Sequence, residues 1–286
     1  MDTAVDVDTE LGQYTTRHFS LLNSLLNVLN TVDPGDPQSV IARYLLENFD
    51  RLGELNVYDM AAACFTSRSG IRRFCESILY KNFSDLKAFA LEWDIHAAYF
   101  AEFADHPRFR EDLSGGIQHM VTSVDALITR EQLDGLAALI HDSSSVVFVS
   151  SSFAGLAVQD FQRALLLQHK LTEVVTDSVG REARIEELAP ADLIVVVSAT
   201  GVYGRVVSKQ LAASTAHKVL VTMNPAPEFA SAYDSIFRLA DDDAHCGGRA
   251  VFAKYAMVYF FDLLCNRYHE LFPAAPTNDV ASPTSG

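Results

Sequence analysis

The sequence has no long apolar run, few cysteines and a shortage of basic residues, and each scarcity removes a class of protein. Its longest apolar stretches, such as Leu193 to Val197 and Met257 to Phe261, fall far short of the roughly 20 residues that span a bilayer. The N-terminus is acidic where a secretory signal is basic. A cytoplasmic protein without a membrane segment is therefore expected. The four cysteines, Cys64, Cys75, Cys246 and Cys265, stand apart without CxxC or Cys/His ligand spacing. Reduced, mostly buried thiols are expected, rather than a disulfide or zinc framework. With 22 Lys and Arg against 37 Asp and Glu, the formal net charge is −15, which opposes general attraction to nucleic-acid phosphates.

That deficit is unevenly spread. Between Pro37 and Glu92 the seven basic residues Arg43, Arg51, Arg68, Arg72, Arg73, Lys81 and Lys87 balance seven acidic ones, so the remainder carries all of the −15. Such asymmetry suits one module that faces an anion and another that stays soluble. It equally suits a neutral helical domain with a few surface arginines.

What the chain does have is length and apolar content. Its 286 residues, 49% hydrophobic, suffice for two domains with a core in each. The first half reads helical, with apolar residues at three- and four-residue spacing through Phe19, Leu22, Leu25, Leu26 and Leu29, and again through Ile41, Tyr44 and Leu45. Asp33-Pro34-Gly35-Asp36-Pro37 separates these two helices.

The second half alternates short β-branched runs with helical patterns. Strands are predicted at Val146 to Ser150, Leu171 to Val175, Leu193 to Val197, Val219 to Thr222 and Ser235 to Leu239. Helices are predicted at Leu156 to Gln168, Arg181 to Leu188, Tyr203 to Ala213, briefly near Glu228 to Ala232, and from about Arg249 to Leu271. This alternation predicts an α/β, doubly wound parallel sheet, with ligands bound beyond the carboxyl ends of its strands. His106-Pro107 and Ser114-Gly115-Gly116 mark a linker. The expected division is a helical domain over 1–104, a linker over 105–123, an α/β domain over 124–272 and a disordered tail over 273–286.

Within the helical half, Val57 to Leu86 holds two short helices about a tight break. Asn56 can cap the first, Val57 to Ala63; Cys64-Phe65-Thr66 forms the turn; Thr66 or Ser67 can cap a second helix from Arg68 to about Leu79. In a helix-turn-helix that second helix enters the major groove with its N-terminal residues on base edges. Ser67, Arg68, Ser69 and Arg72 are chemically suited to phosphates and guanine edges.

Ile41 to Asn48, Met60-Ala61, Ser67 through Arg73-Phe74-Cys75, and Phe83-Ser84-Asp85-Leu86-Lys87 together resemble the helix-turn-helix of the RpiR family of bacterial transcription regulators. In that family a Ser opens the recognition helix, an Arg-Phe pair follows, and a Phe-x-x-Leu-Lys segment closes the domain. The resemblance implies DNA contacts from Ser67, Arg68, Ser69, Arg72, Arg73 and Lys81. Three positions depart from the pattern: Phe65 replaces a turn Gly, Gly70 replaces a Thr, and Ile78-Leu79 replaces Leu-Gly. Two readings of the unit stand, a DNA reader and a helical module kept for dimerisation. Arg73 can brace the fold in either.

Two strand-to-helix loops carry the second constellation. Ser150-Ser151-Ser152-Phe153-Ala154-Gly155 and Ser198-Ala199-Thr200-Gly201-Val202-Tyr203-Gly204 place hydroxyls at helix N-termini, where the dipole favours an anion. With Thr222-Met223-Asn224-Pro225, these loops resemble the sugar isomerase (SIS) fold. The resemblance implies a phosphosugar-like ligand held by Ser150, Ser151, Ser152, Ser198, Thr200, Tyr203 and Thr222. Ala154 and Tyr203 stand where that family has Ser and Thr. The alternative is that these are ordinary polar loop residues.

Glu182, Glu186, Glu187 and His245 are the candidate bases for isomerase chemistry, and none sits in a catalytic motif. No enzyme activity, cofactor or metal site is therefore expected. Tyr255, Met257, Val258, Tyr259, Phe260 and Phe261 exceed what one face of a terminal helix can bury, which predicts a homodimer or homotetramer. The function implied is a regulator that binds a palindromic DNA operator and responds to a sugar-phosphate-like effector. The alternative is a phosphosugar-binding or isomerase-like protein whose helical domain no longer contacts DNA.

Overall fold

The computed structural model describes residues 20–93, 97, 101, 104, 107–176, 187–240 and 252–274. The helical unit runs α1 (Leu21–Thr31), α2 (Pro37–Glu47), a 3-10 segment (Phe49–Glu54), α3 (Val57–Ala63), α4 (Arg68–Ser77) and α5 (Phe83–Lys87). Short polar residues start these helices: Ser20, Asp36, Asn56, Ser67 and Asn82 each accept a backbone N–H from the first turn they precede. Such caps satisfy donors that a helix leaves orphaned, at about 1 kcal/mol apiece.

The helical core is continuous. Leu25, Ile41, Leu45, Phe49, Met60, Ile71, Phe74, Tyr80 and Leu86 are all buried in one cluster. At its far end Glu92, itself buried, reaches back to α1. Its carboxylate accepts from the Ser20 hydroxyl and from the backbone N–H of Leu21 at 2.8 Å and of Leu22 at 3.2 Å.

The second unit runs α6 (Phe109–Leu127), α7 (Arg130–Asp142), β1 (Val146–Ser150), α8 (Ser152–Leu167), β2 (Glu173–Thr176), β3 (Leu193–Ser198), α9 (Val202–Leu211), β4 (His217–Thr222), a 3-10 segment (Pro227–Ser231), β5 (Ser235–Arg238) and α10 (Ala253–Leu271). The strands form one sheet in the order β2-β1-β3-β4-β5, and every pairing is parallel. Every residue of β1 and β3 is buried, as central strands covered on both faces require. Alternation splits them. Val146, Phe148, Val195 and Val197 face a core with α6, α7, α8 and α10, while Val147, Val149, Ile194 and Val196 face a second core with α9. The α/β class and five strands predicted from the sequence are what the structure contains. The second strand starts two residues late, at Glu173, where its pairing with Val147 begins, and Leu171 is exposed.

Two expectations need correction. Residues 109–123 of the supposed linker are helical, and Ser114-Gly115-Gly116 lies inside α6. The glycine serves packing: a Cβ on Gly116 would lie 2.6 Å from the Phe252 ring. The large apolar residues of α10 are also mostly used within the chain, since Met257, Phe260 and Phe261 are buried against the sheet and neighbouring helices. Tyr255, Val258 and Tyr259 remain partly or largely accessible, as do Leu263 and Leu271 toward the end of the helix. Of the proposed tail, residues 275–286 lie outside the described residues, as does the helix predicted at 181–188 up to residue 186.

Cys64 and Cys75 are free and buried, and Cys265 is free and half-buried. Burial pushes the Cys75 thiol up to about 12 and raises those of Cys64 and Cys265, so none is a reactive thiolate at neutral pH. Cys246 lies outside the described residues. No helix among the described residues is long and apolar enough to cross a membrane.

Candidate nucleic-acid interface and strand-end site

Helices α3 and α4 meet through a closed turn. The N–H of Phe65 donates to Ala62 O and that of Thr66 to Ala61 O, the paired pattern of a Schellman C-cap. This cap needs a left-handed residue, and Phe65 supplies it with φ 50°. The end of α4 repeats the device: Tyr80 N–H donates to Cys75 O, Leu79 N–H to Glu76 O, and Leu79 has φ 73°. Both non-glycine substitutions noted in the sequence therefore occupy strained backbone positions, a cost of about 1–2 kcal/mol each. The third departure has a steric reason, because a Cβ on Gly70 would collide with Thr66 Oγ1.

Ser67 Oγ caps α4 at Gly70 N–H, 3.1 Å away, and sits 2.7 Å from Ser69 Oγ. Ser67, Arg68, Ser69, Arg72, Arg73 and Lys81 are all exposed, whereas Ile71, Phe74 and Cys75 face the core. Helical spacing separates the two groups. Arg68 is held from below by a residue that sequence reading missed: Tyr58 of α3 accepts from its Nη1 at 3.1 Å, with the guanidinium 4.8 Å from the ring centroid. The signal was present as a large aromatic at an exposed position of a short capped helix. Arg72 pairs through Nε with Glu76 at 2.8 Å. Lys81 lies past the end of α4, where its backbone N–H donates to Asp85.

At the other site, sheet register aligns Ser150 with Thr176 and Val197, and Ser198 with Thr222. Four neighbouring strands thus end in hydroxyls at one sheet edge. Ser150 is fully buried, and its Oγ has no partner among the described residues. Half-buried Ser151 precedes α8, with its carbonyl accepting from Ala154 and Gly155 N–H at 3.0 Å. Ser152 begins α8, and its side chain lies outside the described residues.

The β3 and β4 loops are tied to each other. Ser198 Oγ accepts from Gly204 N–H at 3.0 Å; Thr222 Oγ1 donates to Ala199 O at 3.4 Å and accepts from Asn224 N–H at 3.1 Å; Asn224 Nδ2 donates to Thr200 O at 2.7 Å. Gly201, with φ 79°, passes so close that a Cβ would lie 2.7 Å from that of Asn224. Thr200 is half-buried at the same edge. Tyr203 does not point there. It is 2% exposed and packs with Val207, Leu211 and Phe229, because the second residue of α9 faces the sheet.

Among the candidate bases Glu187 is exposed, and Glu182, Glu186 and His245 lie outside the described residues. No cluster of three or more His, Cys, Asp or Glu side chains among the described residues is arranged for a metal ion.

No protein-family model matches the chain. Two curated proteins of Bacillus subtilis (strain 168) do. The uncharacterized HTH-type transcriptional regulator YbbH is 23% identical over 167 residues, covering 56% of this chain and 59% of that protein. The HTH-type transcriptional regulator GlvR is 23% identical over 198 residues, or 67% of each. The chain is a relative of HTH-type transcriptional regulators. It spans less than two thirds of the length of YbbH. A helix-turn-helix unit followed by a parallel α/β unit fits the RpiR type of this regulator.

Solved structures similar to this HTH-type relative include the Vibrio vulnificus NanR protein complexed with ManNAc-6P, at TM-score 0.48 and 18% identity over 89% of this chain and 93% of that one. The sugar isomerase domain of an RpiR transcription factor from Sphaerobacter thermophilus gives TM-score 0.46 and 16% identity over 59% of this chain and 93% of that one.

Proposed function

We propose that the chain is a cytoplasmic, DNA-binding transcription regulator whose affinity for DNA is modulated by a small phosphorylated-sugar-like ligand. The observation that carries this reading is the first turn of α4. A capped helix follows a closed turn and presents Ser67, Arg68, Ser69 and Arg72 to solvent while its other face is locked in the core. That is the presentation a major-groove reader requires. Relatedness to HTH-type regulators supports it. A palindromic operator read by a homodimer or homotetramer follows from two-fold symmetry. The accessible Tyr255, Val258 and Tyr259 of α10 offer a surface for subunit contact. The boundaries 1–104, 105–123, 124–272 and 273–286 remain the proposed division, with 109–123 helical rather than extended.

The ligand is assigned to the carboxyl ends of β1 and β3, where Ser150, Ser151 and Thr200 retain hydrogen-bonding capacity near helix N-termini. The protein acts here as a sensor and not as an isomerase. The effect of ligand on DNA affinity must then equal that of DNA on ligand affinity. Selection of bound duplexes from a random pool, repeated with a panel of sugar phosphates, tests both halves. A recovered palindrome whose binding shifts with one phosphosugar is the expected result. The net charge of −15 favours a second reading, a phosphosugar-binding or isomerase-like protein without DNA contact. Failure to enrich any duplex, with phosphosugar binding intact, decides for it.

A further inference from the structure

A hollow of about 460 Å³ opens beside the recognition helix, lined by Arg68, Ser69 and Arg72 of α4 and by Asn82 and Ser84 around the start of α5, with Val57, Ile71 and Phe83 also contributing to its wall. Among the described residues no carboxylate lines it, and two guanidiniums and two hydroxyls do. In a chain with 37 acidic residues against 22 basic ones, a concavity with only cationic charge on its rim is a local reversal. Its walls are also stiffened in advance. The Tyr58 hydroxyl and ring hold Arg68, Asn82 Oδ1 accepts from Asp85 N–H, and buried Phe83 and Ile71 anchor the two elements. Among the described residues Glu76 engages Arg72 only through Nε.

Resting on the DNA-binding reading above, we propose that this hollow seats one backbone phosphate of the bound duplex, with Arg72 and Ser84 as its ligands. Arg72 is then a phosphate contact that fixes register, while Arg68, propped outward by Tyr58, remains available to a base edge. A planar guanidinium with an adjacent hydroxyl suits a phosphodiester, and phosphate contacts position a recognition helix without reading sequence. Ser84 had no role in the sequence pattern beyond lying between the core residues Phe83 and Leu86. The structure turns it toward α4.

The test is fluorescence anisotropy of the full chain on its best selected duplex and on a scrambled duplex, each across a range of salt concentrations. Arg72→Ala is expected to weaken both duplexes by a similar factor, about tenfold, and to lower the slope of log affinity against log salt by about 1. Ser84→Glu, which puts a carboxylate in the hollow, is expected to weaken both at least as much. Arg72→Lys keeps the charge and should recover most of the slope. Circular dichroism melts confirm that each variant is folded; if Arg72→Ala is not, Arg72→Lys and Ser84→Glu carry the test. The inference is overturned if Arg72→Ala weakens only the selected duplex with the salt slope unchanged, because Arg72 then reads a base. Wild-type binding by folded Ser84→Glu overturns it too. If the wild-type chain enriches no duplex at all, the DNA-binding reading itself falls, and the inference with it.

Discussion

The two candidate sites handle their polar residues in opposite ways. On the helical unit Ser67, Arg68, Ser69, Arg72, Arg73 and Lys81 stand in solvent, and the few bonds they make are to one another or to nearby surface residues. At the strand ends Ser150, Ser198 and Thr222 are buried, and the latter two already hold the β3 and β4 loops in place. An exposed arginine is available to a partner whatever the fold requires of its neighbours. A buried hydroxyl serves the fold first, so a ligand there must share it. Apart from Ser67, which caps α4, the proposed DNA face is thus separable from stability by mutation, and buried Ser198 and Thr222 at the strand ends are not.

The largest expected effect tests the scaffold beneath the open face. Phe74→Ala removes a buried ring from the helical core and should cost about 3–5 kcal/mol, read as loss of the helical unit's transition in urea denaturation. A much smaller loss means α4 is less firmly seated than the packing indicates. Next is the face itself. Arg68→Ala should lower operator affinity by about 1–3 kcal/mol and relax specificity at one position, with the urea midpoint unchanged. Tyr58→Phe, which keeps the ring but loses the hydroxyl, should show a smaller loss of the same kind in binding titrations.

The strand-end residues should respond the other way. Ser198→Ala leaves the buried Gly204 N–H without its acceptor and should cost about 1–3 kcal/mol of stability whether or not a ligand is present. Thr200→Val alters a half-buried loop side chain that makes no hydrogen bond among the described residues, and should act mainly on ligand affinity, measured by calorimetry. Equal stability for both variants would erase the contrast.

The smallest effect is a pH dependence. The Arg267 guanidinium, bonded at 2.6 Å, holds the Asp134 carboxyl below its ordinary range. A carboxyl depressed in the folded state stabilises above the ordinary aspartate pKa, and that contribution is lost as pH falls through the folded value. Thermal melts of wild type should therefore decline in strongly acidic buffer by slightly more than those of Arg267→Gln.

Periodicity and turn chemistry carried most of the architecture. Asn56 and Ser67 cap the helices for which the sequence nominated them, and the β-branched runs became a parallel sheet whose central strands β1 and β3 have enough apolar residues for two covered faces. Two features were illegible for a shared reason. Gly115-Gly116 resembles a loop in any local window, and only contact with Phe252 from more than a hundred residues away accounts for the helix packing there. Tyr203 looks like a ligand group in its loop, yet the rotational phase of α9 sends it to the sheet. Tyr58 was unread because its role depends on where Arg68 comes to rest.

Glu92 gives the helical unit an unusual kind of boundary. Its carboxylate closes a circuit with the first turn of α1, 71 residues earlier in sequence at Leu21, so the two ends of the unit report on each other. Amide exchange at Leu21 and Leu22 should therefore follow opening of the chain around Glu92 as much as fraying of α1 itself. A truncation placed before Glu92 would loosen the unit at its opposite terminus, and a domain excised for solution work has to keep both.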